Sequence, residues 1–138
     1  MDIIKDVFRP VAQRVKSRAD SLVCLKNVPA CGIEGWLKIE AAAALGDRFV
    51  KFQNKGPDLL LKDDFKVELK AAGGLGPAWI VSGLKYEHPC LFLCGHAQQQ
   101  IIERLRTNPK VSQLVYEIFF PDRADRTNPW IIGVAVPK

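Results

Sequence analysis

The segment 57–70 constrains the fold of this chain more than any other stretch. It reads Pro57-Asp58, then Leu59-Leu60-Leu61, then Lys62-Asp63-Asp64, then Phe65-Lys66-Val67-Glu68-Leu69-Lys70. The last six residues alternate apolar and charged. Successive side chains of a strand point to opposite faces, so Phe65, Val67 and Leu69 share one face and Lys66, Glu68 and Lys70 the other. Glu68 and Lys70 then stand about 7 Å apart, at roughly 3.3 Å per residue. Leu59-Leu60-Leu61 is apolar on both faces, the pattern of an interior strand. The polar, turn-forming Lys62-Asp63-Asp64 is short enough to close a hairpin. In that hairpin Asp58, at the start of one strand, meets Glu68 and Lys70 on the next.

Two carboxylates and an ammonium converging on one point suit metal-assisted cleavage of a phosphodiester. The competing reading is plain. Phe-Lys-Val-Glu-Leu-Lys is also the solvated face of an amphipathic strand, and Pro-Asp is a common entry from turn to strand.

The chain has 138 residues, with 48% hydrophobic and 25% charged residues, which predicts one globular domain with a sizeable core. The order of elements predicts an α/β fold with a central mixed sheet flanked by helices. No apolar run approaches the length of a membrane span. The N-terminal Met1-Asp2-Ile3-Ile4-Lys5-Asp6 does not read as a secretory signal, so the expected location is cytoplasmic. The net charge of +5 suits a polyanionic partner. Lys5, Arg9, Arg14, Lys16, Arg18 and Lys26 form one basic group, and Arg104, Arg106 and Lys110 another. Scattered, solvated charge is the alternative explanation.

Along the chain, Ile3, Ile4, Val7, Phe8, Val11 and Val15 recur at helical spacing, with Pro10 as a kink or a fresh start. This N-terminal helical arm, residues 1–26, lies outside the expected core at 32–95 and is expected to cap it or to make a dimer contact, with nucleic-acid contact by its basic residues as the alternative; 96–138 is a C-terminal extension of the sheet. Residues 27–32 read as a loop, and a helix follows over 33–45, stopped by Gly46. Strands are predicted over 48–53, 59–61, 65–70, 90–94, 111–120 and 130–136, and helices over 77–86 and 97–107. Residues 71–76 are glycine-rich and read as a flexible exit from the preceding strand. They lack the lysine and hydroxyl pattern of a phosphate-cradling loop.

Pro57-Asp58, nine residues, then Glu68-Leu69-Lys70 resembles the signature of the PD-(D/E)xK nuclease superfamily, which includes restriction endonucleases. The family core runs helix, three-stranded meander, helix, strand, and this chain offers that order over about half its length. The resemblance implies a restriction-endonuclease-like core and a magnesium-dependent deoxyribonuclease, manganese being the alternative ion. Asp58 and Glu68 would hold the metal together with the Leu69 carbonyl and water, and Lys70 would serve the attacking water. A further acid on the first helix is expected at Glu34, with Glu40 as the alternative on the opposite side. Glu34 placed near a helix start is also explained by the helix dipole. The implied partner is nucleic acid, DNA first. A homodimer is compatible with cutting two strands.

Two readings of other classes stand beside this one. The chain could be a non-catalytic nucleic-acid-binding module on the same fold, or a structural protein using its N-terminal arm as a contact surface. Zinc is disfavoured: Cys24 and Cys31 are too far apart for a ligand pair, and Cys90 and Cys94 share one face of an apolar strand. His88 and His96 stand alone, and Ser82 lacks the context of an activated nucleophile.

Overall fold

The computed structural model describes residues 1–25, 30–74, 76–95 and 99–138. The chain opens with a wide π-type helical turn over Ile3–Phe8, capped by the Asp2 carboxylate on the Ile4 and Lys5 amides. Helix α1 (Arg9–Ser17) continues from it, with Pro10 in its first turn. A proline has no N–H and its ring crowds the carbonyl four residues back. The widened turn, closed by the Arg9 N–H on the Ile4 carbonyl, accommodates both facts. Helices α2 (Asp20–Leu25) and α3 (Ala30–Leu45) follow.

Strands β1 (Phe49–Phe52), β2 (Leu59–Leu61) and β3 (Phe65–Ala72) form an antiparallel meander. The turn between β2 and β3 places Asp63 and Asp64 at positive φ, 62° and 57°, which aspartate tolerates better than most residues. Helix α4 (Pro77–Ser82) and a 3-10 turn (Gly83–Tyr86) then cross over to β4 (Cys90–Cys94), parallel to β3. Helix α5 (Gln99–Arg106) leads to the hairpin of β5 (Val111–Phe119) and β6 (Trp130–Pro137). The result is one mixed sheet of six strands in the order β1-β2-β3-β4-β6-β5.

Helices cover both faces of the sheet. On one, α1 and α3 bury Val11, Val15, Ile33, Leu37 and Ala41 against Val67, Leu69, Leu91 and Leu93. On the other, α4 and α5 bury Ile80, Ile102 and Leu105 against Ala72, Cys90, Phe92 and Cys94. The alternation of β3 is thereby spent on two cores. Val67 and Leu69 face α3, while Glu68 and Lys70 lie on the side of α4.

Three sequence expectations need adjustment. Helix α3 begins at Ala30 rather than at 33, so Ala30, Cys31 and Gly32 are helical and not loop. A glycine in a helix costs about 1 kcal/mol, which the burial of Ile33 and Leu37 outweighs. The rest of that expected loop, 27–29, lies outside the described residues. Strand β3 runs on through Ala71 and Ala72, because Ala72 still pairs with Cys94 and its carbonyl accepts the Gly95 N–H at 3.1 Å. The helix over 77–86 tightens to a 3-10 turn at Gly83. The N-terminal helices pack on the core, with Val7, Val11, Ala12 and Val15 fully buried in it. Among the described residues no helix is long and apolar enough to cross a membrane.

Candidate active site

Asp58 sits one residue before β2, where the β2–β3 ladder ends at the pair Leu59↔Val67. Its Oδ2 accepts the Leu69 N–H at 2.9 Å. The carboxylate therefore takes the place a backbone carbonyl would fill in a longer ladder. That position is in the plane of the sheet, so Asp58 is reachable from both faces. The N–H and C=O of one strand residue point the same way, and the Leu69 carbonyl faces this same end of β2.

From the α3 side, the Lys38 ammonium lies 3.2 Å from Asp58 Oδ1 and 4.0 Å from Glu34 Oε1. Glu34 and Lys38 are four residues apart, on one face of the helix. From the α4 side come Glu68 and Lys70. Glu68 is only 7% exposed, and its Oε2 is buried with no hydrogen-bond donor among the described residues. Lys70 makes no salt bridge among the described residues and acts on Glu68 through space. The 3-10 turn after α4 closes over this pair. A Cβ at Gly83 would lie 2.9 Å from Cys90 Sγ, 3.1 Å from Glu68 Cγ and 3.4 Å from Lys70 Cε.

The electrostatics follow from this crowding. Burial pushes the Glu68 carboxyl up to about 8, with further upward contributions from a hydrogen bond to Asp58 and from the Asp58 charge. Lys70 opposes the rise and Glu34 adds to it. Glu68 thus keeps its proton near neutrality. Glu34 is also raised, first by burial and then by Asp58, against the pull of Lys38 and Lys70. The same burial raises the neighbouring Cys90 thiol, with the Glu68 charge as the next cause.

The structure brings together Asp58, Glu68, Lys70 and Glu34. It separates Glu40, which is 3% exposed and clamped by Arg14 Nε at 2.7 Å and Arg18 Nε at 2.9 Å. Glu40 ties α1 to α3 and has no part in the site. Because α3 starts at Ala30, Glu34 is no longer in its first turn, and the dipole explanation for an acid there loses its ground.

Two contributors were missed in the sequence. Lys38 carries only the signal of an i,i+4 acid–base pair, which exposed helices show everywhere. Gly83 carries only the signal of a glycine inside a helical pattern, which suggests a packing reason without naming it.

Cys24 is exposed, whereas Cys90 and Cys94 are buried in the core, and burial holds the Cys94 thiol at about 12. His96 lies outside the described residues, as does the Cys31 side chain. Among the described residues no three His, Cys, Asp or Glu side chains form a metal cluster by themselves. Asp58 and Glu68 supply two carboxylates, and magnesium ordinarily takes only one or two of these, completing its shell with water and phosphate oxygens. A buried carboxylate oxygen without a donor is also the kind of ligand a divalent ion satisfies.

No family model, no curated protein and no solved structure matches the chain.

Proposed function

We propose that this chain is a divalent-metal-dependent nuclease acting on DNA, built on a core of the PD-(D/E)xK type. The observation that carries the proposal is the convergence of Asp58, Glu68 and Lys70, with Glu34 behind them, around a buried carboxylate oxygen that has no donor among the described residues. The element order α3, β1-β2-β3, α4, β4 supports it, being the order the motif requires.

Asp58 and Glu68 are the metal ligands, with the Leu69 carbonyl beside them and Glu34 in support. Magnesium is the expected ion and manganese its substitute. When bound, the ion supplies Lewis-acid stabilisation of the phosphate and acidifies a coordinated water. The chain's own residues do the rest. The Leu69 amide fixes Asp58, so the carboxylate is preorganised. The Gly83 turn holds Glu68 and Lys70 against each other and excludes solvent from one side. Lys70, as an ammonium, orients the attacking water and offsets the negative charge developing on phosphate.

The surroundings suit a polyanion. Lys51 pairs with Leu60, and Leu60 with Lys66, so these three side chains share one row across β1, β2 and β3. By strand parity that row lies on the face of Glu68 and Lys70. Lysines thus flank the acids along the path a phosphate backbone would take. Two copies related by two-fold symmetry would present a site to each strand of a duplex.

A second reading, a nucleic-acid-binding module without catalysis, is favoured by one observation: Lys38 already neutralises Asp58. Asp58→Asn separates the two. The amide oxygen can still accept the Leu69 N–H, so the fold is expected to persist. Cleavage is expected to fall by about 10²–10⁴-fold while the melting temperature stays within a few degrees. Undiminished cleavage by a folded Asp58→Asn protein would remove Asp58 from the mechanism. Salt-dependent binding without cleavage, in the native chain and with every divalent ion, would favour the module.

A further inference from the structure

Lys38 belongs to no motif, yet its ammonium holds one oxygen of the central carboxylate. It lies 3.2 Å from Asp58 Oδ1 and 4.0 Å from Glu34 Oε1, while the other oxygen of Asp58 is taken by the Leu69 N–H. Both oxygens of the central carboxylate are therefore engaged by donors of this chain. Glu68, 7% exposed, belongs to the same cluster, and its Oε2 is buried with no donor among the described residues. The side chain of Lys38 is 32% exposed, so a path to solvent is open to it.

Resting on the nuclease reading, we propose that Lys38 is a built-in counter-cation that holds Asp58 and Glu34 in place without metal and must yield Asp58 to an incoming divalent ion. The physical argument is competition for one carboxylate edge. A unit positive charge a few ångströms from a dication is strongly repelled in a half-buried site. Lysine can respond, because its charge sits on a flexible four-carbon stem. Lys38 then acts as a positioning residue for Asp58 and sets the threshold for metal binding, distinct from Lys70, which has no such salt bridge among the described residues.

The test is direct metal binding, read by electron paramagnetic resonance of free Mn²⁺ titrated with the native protein, Lys38→Met and Lys38→Gln, and with no nucleic acid present. Melting curves confirm that each variant is folded. Removing the competitor is expected to tighten Mn²⁺ by about tenfold, within the usual range for coupled binding events. Two variants guard against a side chain that fails to pack. Unchanged or weaker Mn²⁺ binding by both folded variants would overturn the role of Lys38 and leave the nuclease reading standing. Absence of Mn²⁺ binding in all three folded proteins would overturn the nuclease reading, and this inference with it.

Discussion

Glu68 carries the sharpest consequence at the scale of a single residue. Its carboxyl is raised from 4.5 to about 8, chiefly by burial and then by Asp58. The native state thus keeps a proton that the unfolded chain releases at lower pH. The stabilisation is fully present below 4.5 and is lost as pH rises through about 8. Glu68→Gln cannot ionise, so its melting temperature is expected to fall less than that of the native chain between about pH 5 and pH 8, without metal. Parallel melting profiles for the two proteins would show that Glu68 is not held protonated. The pair Glu68 and Lys70 was legible in the sequence because strand alternation alone sets them side by side. Asp58 was legible because a three-residue turn leaves little choice of register. Lys38 and Gly83 were not, since each reaches the site by the packing of a helix or turn on the sheet, which no local pattern encodes.

Among the elements, the junction of α1 with α3 depends on one buried acid. Glu40 is 3% exposed and receives two arginines from the N-terminal helices, through Arg14 and Arg18. Arginine presents its N–H groups in a fixed fork, so both bonds hold the helices at a set angle. Removing the acid leaves two guanidiniums partly desolvated and unpaired. Glu40→Ala is expected to cost about 3 kcal/mol, or roughly 10 °C in melting temperature for a chain of this size. Cleavage per folded molecule is expected to be unchanged, because Glu40 lies away from Asp58. A loss of activity without a loss of stability would contradict the separation of the two acids. Apolar periodicity made the strands and most helices readable, to within a few residues at their ends. It could not show that the N-terminal helices belong to the core, because an amphipathic helix reads the same whether its apolar stripe meets this chain or another. Nor could it extend β3 to Ala72, where two alanines ahead of two glycines resemble a loop until β4 pairs with them.

At the scale of the whole molecule, the sheet order explains why the site lies where it does. β3 is the last strand of the meander and the first of the parallel pair, so its neighbours run in opposite directions on its two sides. The short β2 ends before β3 does, and Asp58 sits in the gap. The insertion of β6 between β4 and β5 was not readable, although Trp130-Ile131-Ile132-Gly133-Val134-Ala135 is buried throughout, as an interior strand demands. The net charge of +5 and the row of Lys51 and Lys66 on the site's face suit the nucleic-acid substrate proposed above. The central claim is that this arrangement cuts phosphodiesters with the help of a divalent ion. It is tested most directly by titrating magnesium into a cleavage reaction on supercoiled plasmid and on a branched DNA, with the native chain and its Lys70→Ala variant side by side. Metal-dependent cutting by the native chain, reduced by about 10²–10⁴-fold in Lys70→Ala, is the predicted result. Equal cutting by both proteins, or no cutting by a folded native chain with either magnesium or manganese, would contradict it.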